Sequence, residues 1–285
     1  MVELGNENLI SEIAAASGIS FNFATGADGN FALADNVFLP TVNAPADSPW
    51  STAVGGVTLA INSNNSIAWQ AGWGNNVNVV ASEGIVADPP VGECFGGSGG
   101  GPSNCVTKHT EFERPICTGG FPKPSYQKGF VPGKYRQLPD ISRLADPFTG
   151  AVILISIPGQ LPVQVYQVVG GTSLATPMFS ALWAIANQEA LAGGGAELGQ
   201  TAPYLYTLPA GTVFDIVPVT SATNVTGSIL DSSGTKKYSA AKLAGACPKE
   251  TEFVSALWDI FTDEETAAVV SFGTDFGAGK GGGLG

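Results

Sequence analysis

The stretch GGTSLATPMFSALWAIANQEA, Gly170 to Ala190, decides how the rest of the chain is read. Two glycines and a threonine deliver Ser173 to the start of an alanine-rich apolar segment. Met178, Phe179, Leu182, Trp183, Ile185 and Ala186 recur there at three- and four-residue spacing, which predicts a helix with one buried face. Pro177 is expected in the first turn, where its missing N–H removes only a donor that has no intrahelical acceptor. Ser173 therefore stands at a helix N-terminus, where free backbone N–H groups and the positive end of the dipole favour negative charge. An attacking alkoxide and a tetrahedral oxyanion both need such a place. Over three residues an N-capping serine after a glycine turn would look the same, so the longer string Gly-Thr-Ser-x-Ala-x-Pro has to carry the reading.

Upstream of it, AVILISIPG and PVQVYQVVG read as two strands around a turn at Pro158-Gly159, the second leading into the Ser173 turn. Downstream, Gly193 to Gly195 mark the helix end, Tyr204 to Thr207 is a short element, and Thr212 to Pro218 leads into a polar loop. At the start of the chain, Glu7 to Ser17 reads as an amphipathic helix with Leu9, Ile10 and Ile13 inward and Gly18 as its stop. Ile19 to Ala24 is a short strand and TGADGN a tight turn after it. Loops at the carboxyl ends of parallel strands are where α/β proteins build sites. Ser48 to Asn62 and Ser66 to Trp73 are expected as strands, and Asn75 to Gly120 as a long irregular insertion holding His109 and three cysteines. Pro124 to Gly150 has prolines too close together for a helix. GAGKGGGLG at the end cannot bury anything, so the domain is placed at residues 1–276 and a disordered or non-native tail at 277–285.

Lys+Arg 12 against Asp+Glu 24 give a net charge of −12. That balance argues against a nucleic-acid partner, since little is available to neutralise phosphates. Cys94, Cys105, Cys117 and Cys247 lack Cys-x-x-Cys spacing, so disulfides stapling the glycine-rich insertion are expected rather than zinc, with the pairing open. Two sequons, at Asn64 and Asn224, are compatible with secretion. The N-terminus has neither the basic nor the apolar region of a signal peptide, and no apolar run is long enough to span a bilayer. The expected form is an extracellular monomer, its export signal and pro-region outside this chain.

SPWSTAVGG (Ser48 to Gly56), GGSGGGPSN (Gly96 to Asn104), PSYQKG (Pro124 to Gly129), LPDISRLADPFTG (Leu138 to Gly150) and GGTSLATP occur in one order that resembles the sedolisins, the serine-carboxyl peptidases. Gly-Thr-Ser-x-Ala-x-Pro is similar to the nucleophile motif of the wider subtilisin-like fold. The resemblance covers roughly Ile19 to Pro218. It implies an α/β, subtilisin-like parallel sheet between helices, here lacking the first strands, with peptidase activity in acid on a peptide or protein substrate and one bound calcium. A subtilisin proper would need a His base, and His109, the single histidine, lies in no matching context. In sedolisins a Glu takes the serine proton, an Asp backs it, and a second Asp stabilises the oxyanion; a carboxylate with a pKa near 4 is poised to titrate where such enzymes work.

Carried over residue by residue, the resemblance makes Ser173 the nucleophile. The oxyanion Asp belongs to a Ser-Gly-Asp-x-Gly turn, and the corresponding stretch is Thr25-Gly26-Ala27-Asp28-Gly29. Strict register puts Ala27 there and leaves Asp28 one residue late, either as the oxyanion partner or as a turn aspartate bonding its own backbone. No position matches the Glu and its supporting Asp; Glu3 and Glu7 precede the strand too closely and read as solvated helix-start carboxylates. Ser98, Gly99, Gly100 and Gly101 are the substrate-binding candidates, because backbone free of side chains can pair with an extended peptide; a flexible linker has the same composition. Asp215, through its carboxylate, and Ile216, through its carbonyl, match the first calcium segment, oxygen donors suited to that ion. The second segment has no match, so both ends read as cut. The leading expectation is a weakly active or inactive sedolisin piece. A Ser173-dependent esterase, with Asp28 or His109 as improvised base, and a non-enzymatic peptide-binding remnant are the alternatives.

Overall fold

The computed structural model describes residues 2–29, 41–61, 63–81, 84–85, 94–111, 114–147, 149–156, 159, 164–214, 216, 226–231, 234–239, 251–259 and 266–274. In chain order the first half contains α1 (Val2–Ala16), β1 (Asn22–Ala24), β2 (Thr52–Ile61), β3 (Ile67–Gly72), β4 (Gly74–Ala81), β5 (Gly84–Ile85), β6 (Cys94–Gly97), β7 (Gly101–Pro102), β8 (Thr107–Glu111) and β9 (Arg114–Thr118). A 3-10 turn at Ser125–Gln127 precedes β10 (Gln137–Leu138), β11 (Ile141–Leu144), β12 (Ala151–Ser156) and β13 (Gln164–Val169). Then come α2 (Thr172–Ala192), α3 (Thr201–Leu205), β14 (Thr226–Asp231), β15 (Gly234–Ser239), β16 (Thr251–Asp259) and β17 (Thr266–Thr274).

β2 is the centre of the sheet that positions the candidate site. Its first residues pair in parallel with β1 on one side and β11 on the other, and its second half turns back antiparallel on β3. Gly55 and Gly56 let other segments lie directly on β2: a Cβ would come within 2.6 Å of Pro139 Cγ at the first and 2.4 Å of Ala145 Cβ at the second. α2 packs on β1, β2 and β11, closing a core of Val54, Trp73, Ile141, Ala145, Ala175, Phe179, Leu205 and Tyr206. This is the α/β arrangement expected, with parallel strands under helices.

Three expectations are corrected. α2 buries Thr172, Ala175 and Phe179, while Met178, Leu182 and Ile185 of the predicted inward face are 37%, 46% and 57% exposed. Small residues at 172 and 175 bring the helix backbone down onto the sheet, and Met178 and Leu182 instead line an open groove of about 630 Å³ with Val57 and Leu59. α1 runs where predicted, ending before Gly18 at φ 77°, but Ser11 and Ala14 are its buried residues and Leu9, Ile10 and Ile13 are exposed. Asn8 holds that helix to the 46–48 segment by accepting from Ser48 Oγ at 2.8 Å, and the small residues near it allow the close approach. The Asn75–Gly120 stretch is largely strand: β4 pairs with β17 from the far end of the chain and with β5 and β6, and β8 and β9 form a hairpin. The short element expected at Tyr204–Thr207 is the end of α3 and the turn after it. Cys247 and residues 277–285 lie outside the described residues.

LPDIS holds the buried polar centre. Arg136 and Asp140 are fully buried and ion-paired, Arg136 Nη1 donating to Asp140 Oδ1 at 2.6 Å and Nη2 to Oδ2. The same carboxylate accepts from Ala53 N at 2.8 Å, Tyr206 OH at 3.0 Å and Gln127 Nε2 at 3.2 Å, so it joins β2, the 3-10 turn and the end of α3. Burial works against the Arg136 charge, but the Asp140 carboxylate overcomes it and holds the guanidinium protonated more firmly than in water. Burial, reinforced by that carboxylate, pushes the Tyr206 hydroxyl up.

Asp47 is a second buried carboxylate, 5% exposed, accepting from Ser103 Oγ at 2.8 Å. Burial raises its pKa to about 6; the Ser103 bond and Arg136 pull it down, and Glu7 on α1 pushes it up. A carboxyl raised above its unfolded value stabilises the fold below the unfolded pKa and loses that contribution as pH rises through the folded one. The expected result is a protein about 2–3 kcal/mol less stable at pH 7 than near pH 4 from this group alone. Urea midpoints of the parent and Asp47→Asn at the two pH values check it: the parent should lose stability relative to the variant as pH rises, and a constant difference would contradict the assignment.

Candidate active site

α2 begins immediately after Gly171, whose φ of 89° and ψ of 155° need a residue without Cβ. Gly170 is pressed against the segment before β12: a Cβ would lie 2.5 Å from the Ala145 carbonyl oxygen, which accepts from Gly171 N at 2.5 Å. The two glycines therefore anchor the loop and then turn it. Leu174 N and Ala175 N bond back to the Gly171 carbonyl at 2.9 and 3.3 Å. By their position in the first turn, the N–H groups of Thr172 and Ser173 have no intrahelical acceptor. Ser173 is exposed. Pro177 sits in the second turn, not the first, because the helix starts at Thr172. It thereby withholds the N–H that would bond the Ser173 carbonyl, loosening the helix at the Ser173 peptide group.

The 25–29 turn lies against this helix start. Gly26 N donates to Thr172 Oγ1 at 3.1 Å, and the Gly26 carbonyl accepts from Gly99 N at 2.9 Å. Gly97 N donates to the Ala27 carbonyl at 2.7 Å, Gly29 N to the Gly97 carbonyl at 3.0 Å, and Asp28 forms a parallel bridge with Gly97. Ala27 packs on the core cluster that contains Ala175, while the Asp28 side chain is exposed. The turn of the oxyanion candidate and the glycine-rich run thus meet at the Ser173 helix.

Ser98 is buried, its hydroxyl accepting from Gly56 N at 2.9 Å, and its own N–H donates to Trp73 O at 2.8 Å. Gly101 pairs with Leu138. The Ser98–Gly101 segment is thus a buried wall rather than a linker, and its donors at 98 and 99 are already committed. A Cβ on Gly99 would lie 1.8 Å from the Thr25 carbonyl oxygen, so Gly99→Ala must move the turn. An expected loss of about 1–3 kcal/mol follows from such overpacking, read as a lowered thermal midpoint; an unchanged midpoint would show that the two segments do not touch.

Of the remaining candidates, Glu7 is half-buried at α1, and its charge is a minor influence that raises the Asp47 carboxyl. His109 stands in β8 opposite Ile116 of β9. Asp215 lies outside the described residues. Ile216 is buried beside Val57, and among the described residues no group of three His, Cys, Asp or Glu side chains could hold a metal ion. The described residues give no geometry for the calcium donors, so no chemistry is derived through that ion. Thr172 received no role from its sequence; the visible signal was its place beside Ser173 in a motif where the side chain was treated as part of the turn.

Two curated proteins resemble the chain over most of its length. It is 31% identical over 211 residues to kumamolisin of Bacillus sp. (strain MN-32), covering 71% of this chain and 30% of that protein. It is 33% identical over 188 residues to sedolisin of Pseudomonas sp. (strain 101), covering 62% of this chain and 25% of that protein. A solved Pseudomonas sedolisin, a serine-carboxyl proteinase complexed with two molecules of pseudo-iodotyrostatin, superimposes with a TM-score of 0.52 at 30% identity. The chain is similar to members of the sedolisin family. It spans about a quarter to a third of the two curated sedolisin-family proteins and 50% of the solved chain, matched over 75% of its own length. No family model matches it. The subtilisin-like fold of that structure agrees with the parallel β1-β2-β11 order and the glycine turn into α2.

Proposed function

We propose that this chain is part of a serine-carboxyl peptidase that hydrolyses peptide bonds in acid, with Ser173 as its nucleophile. The observation that carries the reading is an exposed Ser173 at the start of α2, beside a turn hydrogen-bonded to the adjacent Thr172. In the reaction Ser173 Oγ attacks the substrate carbonyl carbon, its proton passes to a carboxylate, and the N–H groups of the helix start stabilise the oxyanion that forms. Asp28 is the carboxyl of this chain nearest in sequence to the family's oxyanion position. Ser98, Gly99, Gly100 and Gly101 wall the substrate cleft, and Asp215 with the Ile216 carbonyl contributes two oxygen donors toward calcium.

No position of this chain matches the family's Glu base, so these residues alone are expected to be weak or inactive on peptides. The proposed setting is an exported monomer with a single peptidase domain over residues 1–276. A disulfide at Cys105 supports the stapling role given to the cysteines. No helix among the described residues is long and apolar enough to cross a membrane. Peptide and p-nitrophenyl ester hydrolysis by the 285-residue chain, followed from acid to neutral pH, tests the proposal. Ser173-dependent turnover is expected, stronger on esters; ester turnover that survives loss of Ser173 would overturn it.

A further inference from the structure

Resting on the reading of Ser173 as nucleophile, we infer that Thr172 is a positioning residue that fixes the Ala27–Asp28 turn relative to Ser173. Its side chain is 1% exposed and both of its branches are committed. The methyl group lies over Gly56, 3.4 Å from where a Cβ would stand, and the hydroxyl accepts from Gly26 N at 3.1 Å. A β-branched side chain has few rotamers, so packing of the methyl aims the hydroxyl. Gly26 is also held on its other side, its carbonyl accepting from Gly99 N at 2.9 Å. Gly26 is therefore gripped between the nucleophile's helix and the glycine-rich wall.

The two contacts act at different points. The Gly99 contact ties the turn to the glycine-rich run, whereas the Thr172 hydroxyl is the side-chain link to the residue next to Ser173. Without it the Gly26 N–H loses its acceptor and the turn can shift toward solvent, where Asp28 already is. A displacement of about 1 Å between reacting groups costs up to 100-fold in rate, so the hydroxyl should act on turnover and not on substrate affinity.

The test compares Thr172→Val, which keeps the shape and removes the hydroxyl, with Thr172→Ser. Thr172→Ala against Thr172→Ser makes the cleaner comparison should the valine variant fold poorly, since that pair differs by the hydroxyl alone. Three quantities are read in the full chain: exchange of the Gly26 amide hydrogen, kcat and KM on p-nitrophenyl acetate, and the rate at which a fluorophosphonate labels Ser173. The hydroxyl-free variants should lose Gly26 protection and fall by about 10- to 100-fold in kcat and labelling, with KM within about twofold, and Thr172→Ser, which keeps the hydroxyl but not the methyl that aims it, should recover a large part of each. Retained Gly26 protection, or parental kcat with protection lost, would overturn the positioning role. A parent chain that neither turns over nor labels would instead sink the nucleophile reading itself, and with it any catalytic consequence of Thr172, so the two failures are told apart.

Discussion

Ser173→Ala is expected to reduce p-nitrophenyl acetate hydrolysis by the chain to the buffer rate, and parental peptide hydrolysis in acid to lie several orders of magnitude below that of a complete sedolisin. A general base contributes about 10²–10⁴ in rate and a placed oxyanion donor a similar factor. By resemblance, no residue of the sequence matches the base position and an alanine falls in the strict oxyanion register; that residue, Ala27, packs on the core cluster. What it retains is the serine, the helix-start N–H groups and the Asp28 turn that the Thr172 hydroxyl holds beside them. An activated ester needs little help with its leaving group, so these features together act there and fall short on an amide. Steady-state rates on both substrates for parent and variant check this. A family-like peptide rate in the parent would mean that Asp28 and another carboxylate had taken over both missing roles.

Asp140→Ala is expected to cost about 3–5 kcal/mol of stability, the range for breaking a buried ion pair from one side. The loss leaves Arg136 charged, fully buried and facing the vacated acceptor, and it also strips Ala53 N, Tyr206 OH and Gln127 Nε2 of a shared partner. Because those groups come from β2, α3 and the 3-10 turn, the effect should be global rather than a local fraying. Urea denaturation measures it. Removing both charges with Arg136→Met and Asp140→Leu should recover part of the loss, since no uncompensated charge remains. An unchanged midpoint for Asp140→Ala would show that the network does not hold these elements together.

What was legible in the sequence was local. The β12–β13 hairpin runs into a glycine turn and α2 because β-branched runs, φ-positive glycines and an alanine-rich segment each dictate their own conformation. The meeting of Ser173 with the 25–29 turn and the Gly97–Gly101 run followed from resemblance, and its hydrogen bonds could not be read from spacing. Pro177 was misplaced by one turn because the helix begins with the conformation of Gly171, not with the apolar pattern. The faces of α1 and α2 differ from the apolar stripes for a common reason: the buried stripe is the one whose small residues let the helix approach its neighbour, the sheet for α2 and the 46–48 segment for α1. β4 looked irregular since its partner, β17, lies near the other end of the chain and pairing of that kind leaves no local trace. Nothing in the sequence around Arg136 signals its burial; only the fold brings Asp140 onto it and Gln127 and Tyr206 onto Asp140.

The most direct test of the account is to treat the folded 285-residue chain with a fluorophosphonate and map the adduct by peptide mass spectrometry. The account predicts one adduct, on the peptide that carries Ser173, lost on prior denaturation. No adduct on the folded chain, or one on a different serine, would contradict the claim that the start of α2 presents a nucleophile.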